Sequence, residues 1–181
     1  MDEPEQPSLD FDDLVQQYYQ PLYRFALSLS RKPEDAVDLT QQTFLVLVKK
    51  SHQVRDHGKI KSWLFTTLYR EYLGQVRRGS RMEFVDIDTM TEDIVGPRED
   101  MIRKLDAQGI MEAFDKVPEN FRESLILFYV EDLSYREIAA TLDIPIGTVM
   151  SRLSRGKREL KRVMHQLDAT CLPSENVSKP T

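Results

Sequence analysis

Residues 133–158 read LSYREIAATLDIPIGTVMSRLSRGKR, two short helices around a tight turn with the second loaded with cations. Ser134 is placed to cap the first helix, and Glu137 three residues on completes a capping box. Ile138, Ala139 and Leu142 then share one helical face. Asp143-Ile144-Pro145 ends that helix, because Pro145 disfavours helical geometry at the preceding residue and has no N–H of its own. A second helix is expected from about Ile146, with Val149, Leu153 and Leu160 at core spacing. Thr148, Met150, Ser151, Arg152, Ser154, Arg155, Lys157 and Arg158 stand between them. The pattern predicts a helix-turn-helix whose second helix offers Arg, Ser and Thr to a DNA groove. Arginine can fork onto a guanine edge, and hydroxyls suit bases or phosphates.

Size and charge bound the remainder. The chain has 181 residues, 40% of them hydrophobic, and a formal net charge of −5. An acidic balance argues against a general nucleic-acid coat. The charge is unevenly placed, however. Between Arg152 and Arg162 six cations face one anion, Glu159, whereas the N-terminus and the middle are acidic. Such polarity suits a chain that meets DNA with some faces and protein with others. Cys171 is the one cysteine, which excludes a disulfide framework and a thiolate zinc site. No apolar run approaches membrane-spanning length, and MDEPEQPSLD lacks the basic and apolar segments of a signal peptide. The expectation is a cytoplasmic protein without membrane insertion.

The expected fold is all-α, two small helical domains joined by an acidic flexible linker, the C-terminal one the helix-turn-helix. The expected boundaries are a disordered acidic N-terminus over 1–10, a first domain over 11–81, a linker over 82–103, a second domain over 104–167, and a disordered tail over 168–181. In the first domain, Phe11, Leu14, Tyr18, Leu22, Phe25 and Leu29 repeat at helical spacing, and Pro21 should kink or interrupt their helix. Pro33 suits the first position of the next helix, with Glu34 and Asp35 in its first turn. Leu39, Thr43, Val46 and Leu47 can face a core there, leaving Asp38, Gln41 and Gln42 for solvent or a partner. Ser51–Lys59 reads as a loop, and a third helix follows to Arg78 with Trp63, Leu64, Leu68, Tyr72 and Val76 as its apolar members. In the second domain, Pro118 should open a helix carrying Phe121, Leu125 and Phe128.

In these residues the chain resembles a bacterial sigma factor of the extracytoplasmic-function (group IV, sigma-70 family) type. EDAVDLTQQTF (Glu34 to Phe44) is similar to that family's polymerase-binding segment, and WLFTTLYREYLGQVRR (Trp63 to Arg78) to its promoter-melting helix. The stretch from Val117 to Leu160 is similar to its −35-reading domain. The resemblance implies core-polymerase binding by Glu34, Asp35, Asp38, Gln41 and Gln42. It implies −10 recognition by Lys59, Lys61, Trp63, Tyr69, Arg70, Arg77 and Arg78, an aromatic and cationic set suited to unstacked bases and phosphates. Thr148, Met150, Ser151, Arg152, Ser154, Arg155, Lys157 and Arg158 would serve the −35 element. The 51–61 loop, with His52, Gln53, Arg55 and His57, would receive a flipped base. The implied partners are RNA polymerase core enzyme, promoter DNA and an anti-sigma factor. Neither catalysis, nor a cofactor, nor a small-molecule substrate is implied. The acidic linker would thread a basic polymerase channel. Two positions depart from the family pattern: Arg70 and Gly74 stand where Asn and Asp are usual. Gly156, where the family more often has Ala, should soften the recognition helix.

Other readings of the same residues are weaker. Trp63 and Tyr72 also fit a buried face. His52, Asp56 and His57 lack metal-ligand spacing. Asp12-Asp13 and Asp35/Asp38 have no base, nucleophile or phosphate-binding loop to make them catalytic. A stand-alone helix-turn-helix regulator is the main alternative, and an all-helical metal-dependent hydrolase a remote one.

Overall fold

The structure, a computed structural model, describes residues 10–50, 56–79 and 107–170. Among these the secondary structure is helical throughout. The expected linker, His52, Gln53, Arg55 and the tail from Cys171 onward lie outside the described residues, whereas residues 168–170, expected in the disordered tail, are helical.

Helix α1 spans Phe11–Ser30. The Asp10 side chain caps it, accepting from the backbone N–H groups of Asp12 and Asp13 at 3.0 and 3.3 Å. Pro21 lies inside α1, which runs through it without interruption. Proline forfeits one backbone bond there, while burial of Tyr18, Leu22 and Phe25 on the same face holds the helix on either side. Arg31 ends α1 in the left-handed region, φ 61°, with its N–H bonded to Leu27. Pro33 then opens α2 (Pro33–Lys50), whose first turn carries Glu34 and Asp35 and whose last carries Lys49 and Lys50, both matched to the helix dipole. A short 3-10 turn, His57–Lys59, leads into α3 (Ile60–Gly79). These three helices pack pairwise around Leu22, Phe25, Leu39, Leu47, Leu64 and Leu68.

The second unit begins with α4 (Ala107–Asp115) and α5 (Glu119–Leu125), the latter opened by Pro118. α5 widens into one π-helical turn, Ile126–Val130, in which Glu131 donates its N–H to the Ile126 carbonyl at 3.0 Å. Helix α6 (Tyr135–Leu142) starts at the expected capping box, with both Ser134 and Glu137 bonds present. Hydrogen bonds from the Ser134 hydroxyl and backbone N–H hold the Glu137 carboxyl below the usual carboxylate range. Asp143, in the left-handed region, closes α6, and α7 (Ile146–Thr170) follows. Val149, Leu153 and Leu160 are buried against α5 and α6, at the spacing read from the sequence.

Two features were not foreseen. A Cβ on Gly156 would lie 3.0 Å from Leu125 and 3.1 Å from the Phe121 Cβ. The glycine therefore permits the close approach of α7 to α5, and softening of the helix is a by-product. Second, the two units are in contact, with α3 packed on α6 and α1 on α5.

Candidate nucleic-acid interface

The residues expected to meet polymerase line the outer face of α2. Glu34, Asp35, Asp38 and Gln41 are exposed and Gln42 is half-buried. Asp38, Gln41 and Gln42 share a groove with Leu45, Glu71, Gln75 and Arg78. Leu45 and Val48 extend this face as exposed apolar side chains. Arg78, expected at the −10 element, is exposed and also lines this groove. Its Nε donates to the Gly74 carbonyl at 3.0 Å.

The other residues expected at the −10 element divide. Lys59, Arg70 and Arg77 are exposed, Trp63 is half-buried against the core, and Tyr69 is buried. Tyr69 stacks on Phe25, and its hydroxyl donates to a Glu123 carboxylate oxygen at 3.3 Å. Lys61 is 3.8 Å from the Glu131 carboxylate. In this arrangement Tyr69 and Lys61 face protein, because α3 is apolar over an arc wide enough to pack on both units. Phe65 is fully buried and Tyr69 nearly so, both rings lying against Phe25 of α1.

On α7 the side chains expected to face DNA also separate. Thr148 and Ser151 are buried, and the Ser151 hydroxyl donates to the Thr148 carbonyl at 3.0 Å. They bind the first turn of α7 to itself, since short hydroxyls readily bond backbone carbonyls of the preceding turn. Both are therefore withdrawn from the outer face here. Met150 and Arg158 are exposed, and Arg152, Ser154, Arg155 and Lys157 are half-buried. Arg152 lies close enough to Glu123 and Tyr69 for its charge to act on both.

Sequence reading missed the buried carboxylates between the units. Burial drives the Glu123 carboxyl up to about 7. Glu119 pushes it the same way, while Arg152, the Tyr69 hydroxyl and Arg122 pull it down. Burial raises Glu131 too, against the opposing pull of Lys61 and Arg24. Arg24 approaches Glu131 to 3.7 Å. Further contacts cross the same boundary: the Thr66 and Thr141 hydroxyls meet at 3.1 Å, and Arg31 pairs with Asp115 at 2.6 Å. Polar residues facing one another across a tertiary contact leave no periodic trace in sequence. Among the described residues no cluster of His, Cys, Asp and Glu could hold a metal ion.

Comparison with known proteins agrees with this architecture in both units. Residues 9–82 match the family described as Sigma-70 region 2, and residues 107–160 that described as Sigma-70, region 4. ECF RNA polymerase sigma factor SigE of Mycolicibacterium smegmatis is 35% identical over 155 residues, covering 83% of this chain and 60% of that protein. SigM of Bacillus subtilis is 26% identical over 159 residues, covering 87% of this chain and 97% of that protein. Among solved structures, sigma factor RpoE of Bartonella quintana, crystallised with the anti-sigma factor NepR, superposes with a TM-score of 0.65. It shares 29% identity and covers 86% of this chain and 97% of that one. With both regions present in order, over more than half its length, the chain belongs to the sigma-70 family as a sigma factor of the extracytoplasmic-function type.

Proposed function

We propose that this chain directs RNA polymerase core enzyme to promoters and starts transcription there, as a non-enzymatic specificity subunit working in the cytoplasm. The observation that carries the reading is the pairing, in one chain, of region 2 with an exposed polar and apolar face on α2 and region 4 with a cationic α7. The α2 groove suits core enzyme, with Asp38, Gln41 and Gln42 supplying hydrogen bonds and Leu45 and Val48 apolar area. Lys59, Lys61, Tyr69, Arg70 and Arg77 on and beside α3 suit unstacked −10 bases and their phosphates. Met150, Arg152, Ser154, Arg155, Lys157 and Arg158 suit the −35 groove. An anti-sigma factor is a further partner, as for the Bartonella relative. A stand-alone regulator is not favoured, since the relatives match through both regions.

Run-off transcription with purified core polymerase tests the reading. Sequence-specific transcripts should require both core enzyme and this chain. Asp38→Arg with Gln42→Arg should abolish co-purification with core while leaving the helical circular-dichroism spectrum intact. Unchanged co-purification would sink the α2 assignment.

A further inference from the structure

Two glycines sit in α7 for different reasons. Gly156 makes room for α5, but a Cβ on Gly147 would meet nothing within 4 Å, and its φ lies outside the left-handed region. Among the described residues nothing calls for a glycine there, although glycine weakens a helix relative to alanine. The exposed side chains beside Gly147 on α7 are apolar. Ile146 keeps 45% of its surface exposed and Met150 36%, and among the described residues they are the large hydrophobics that the C-terminal unit leaves in solvent. They stand four residues apart and so share a face. That face continues through Ser154, Lys157 and Lys161, at spacings of four, three and four. An apolar tip, a hydroxyl and two cations therefore run in order along one stripe of the helix, and Arg152 and Arg155 fall outside it.

We propose that the first turn of α7 reads the 5-methyl groups of thymine in the −35 major groove, with Ile146 and Met150 on the methyls and Gly147 at the closest approach to the duplex. The proposal rests on the −35 reading of α7 and names what that end of the helix recognises. In the major groove an A·T pair presents a methyl group that a G·C pair lacks, and an apolar side chain gains by covering it. Side chains four apart on a helix lie about 6 Å from one another. That is close to two steps of about 3.4 Å along a strand, so the two residues address neighbouring pairs. The cations further along the stripe match the phosphates that flank the groove. A side chain at position 147 would stand between the first turn and the duplex, which gives the glycine its reason.

Holoenzyme assembled from core polymerase and the full chain tests it, on a promoter found by run-off transcription. Each −35 thymine, on either strand, is replaced in turn by deoxyuridine, which removes the methyl and keeps every hydrogen-bonding edge. Promoter affinity should fall about fourfold at each of two positions within about three consecutive base pairs. Met150→Ala should abolish the loss at one of them and Ile146→Ala at the other, each variant binding the thymine promoter no better than the parent binds the uracil one. Gly147→Ala should raise the melting temperature of the chain yet weaken promoter binding roughly tenfold, whatever the −35 sequence. Binding that ignores every uracil would overturn the proposal, as would uracil sensitivity left intact in Met150→Ala and Ile146→Ala. Full-strength binding by Gly147→Ala would overturn the close approach. Binding indifferent to every −35 base substitution would instead remove the −35 reading of α7, and the methyl contact with it.

Discussion

Arg122 caps a helix from outside it. Its guanidinium is buried and donates to the carbonyls of Phe114 at 2.9 Å, Val117 at 2.6 Å and Asp115 at 3.3 Å. These carbonyls sit at and just beyond the end of α4, where the helix itself leaves acceptors unpaired. Arg122→Met should lower stability by about 3 kcal/mol, because buried acceptors lose charge-assisted bonds. Thermal unfolding of the two proteins measures it, and a shift within error would show that water replaces the guanidinium. Ser134→Ala should cost about 1 kcal/mol through the lost α6 cap. The cap was legible because its partners stand three residues apart. The role of Arg122 was not, because its acceptors come from a helix whose end the sequence leaves undefined.

Two glycines in long helices call for opposite expectations. In α3, a Cβ on Gly74 would meet nothing closer than the Arg78 guanidinium at 4.0 Å. Gly74→Ala should therefore stabilise the chain by about 1 kcal/mol, the ordinary helix-propensity difference. In α7, Gly156→Ala places a methyl 3.1 Å from the Phe121 Cβ, which moves only with α5. The crowding should outweigh the propensity gain and lower the melting temperature. Denaturant titration of both variants checks the signs together. On the same helix, Arg155→Ala should cost roughly 1–3 kcal/mol and relax preference at one −35 base pair, whereas Lys161→Ala should weaken all sequences alike and lower the salt slope by about one. Binding across a library of −35 duplexes separates the two, and uniform weakening by Arg155→Ala would assign it to a phosphate instead. The turn between α6 and α7 was legible because Pro145 and the Val149, Leu153, Leu160 spacing are local chemistry. The burial of Phe65 and Tyr69 was less so. Both rings lie against Phe25 of α1, so the arc α3 buries is wider than the Leu64, Leu68 spacing alone conveys.

At the scale of the whole molecule, the contact between the two units should respond to pH. Glu123 is faced by Tyr69 and Tyr72 of α3, Arg152 of α7, and Glu119 and Arg122 of its own helix. With the units in contact, its carboxyl is raised to about 7, from an ordinary value of 4.5. The form with the units in contact thus binds the proton more tightly, and acid favours it as pH falls from about 7 toward 4.5. Glu131, raised and facing Arg24 and Lys61, acts in the same direction. Glu137 is depressed, but its main partner Ser134 is local and stays with it in either form. Oxidation of a cysteine pair made by Thr66→Cys and Thr141→Cys, whose hydroxyls meet at 3.1 Å, should, corrected for thiolate fraction, be favoured at pH 5.5 over pH 8 by on the order of 1–2 kcal/mol. Glu123→Gln should flatten the dependence, and a profile unchanged by that substitution would show that another group titrates. The contact between α3 and α6 carries one more consequence, a thermodynamic one. Opening is a single event that frees Lys61 and Tyr69 on one unit and Arg152 on the other. Whichever DNA element binds first supplies that free energy, and the second meets a chain already open. The two elements should then bind cooperatively on one promoter, with a coupling equal to the opening free energy, although no new contact forms between them.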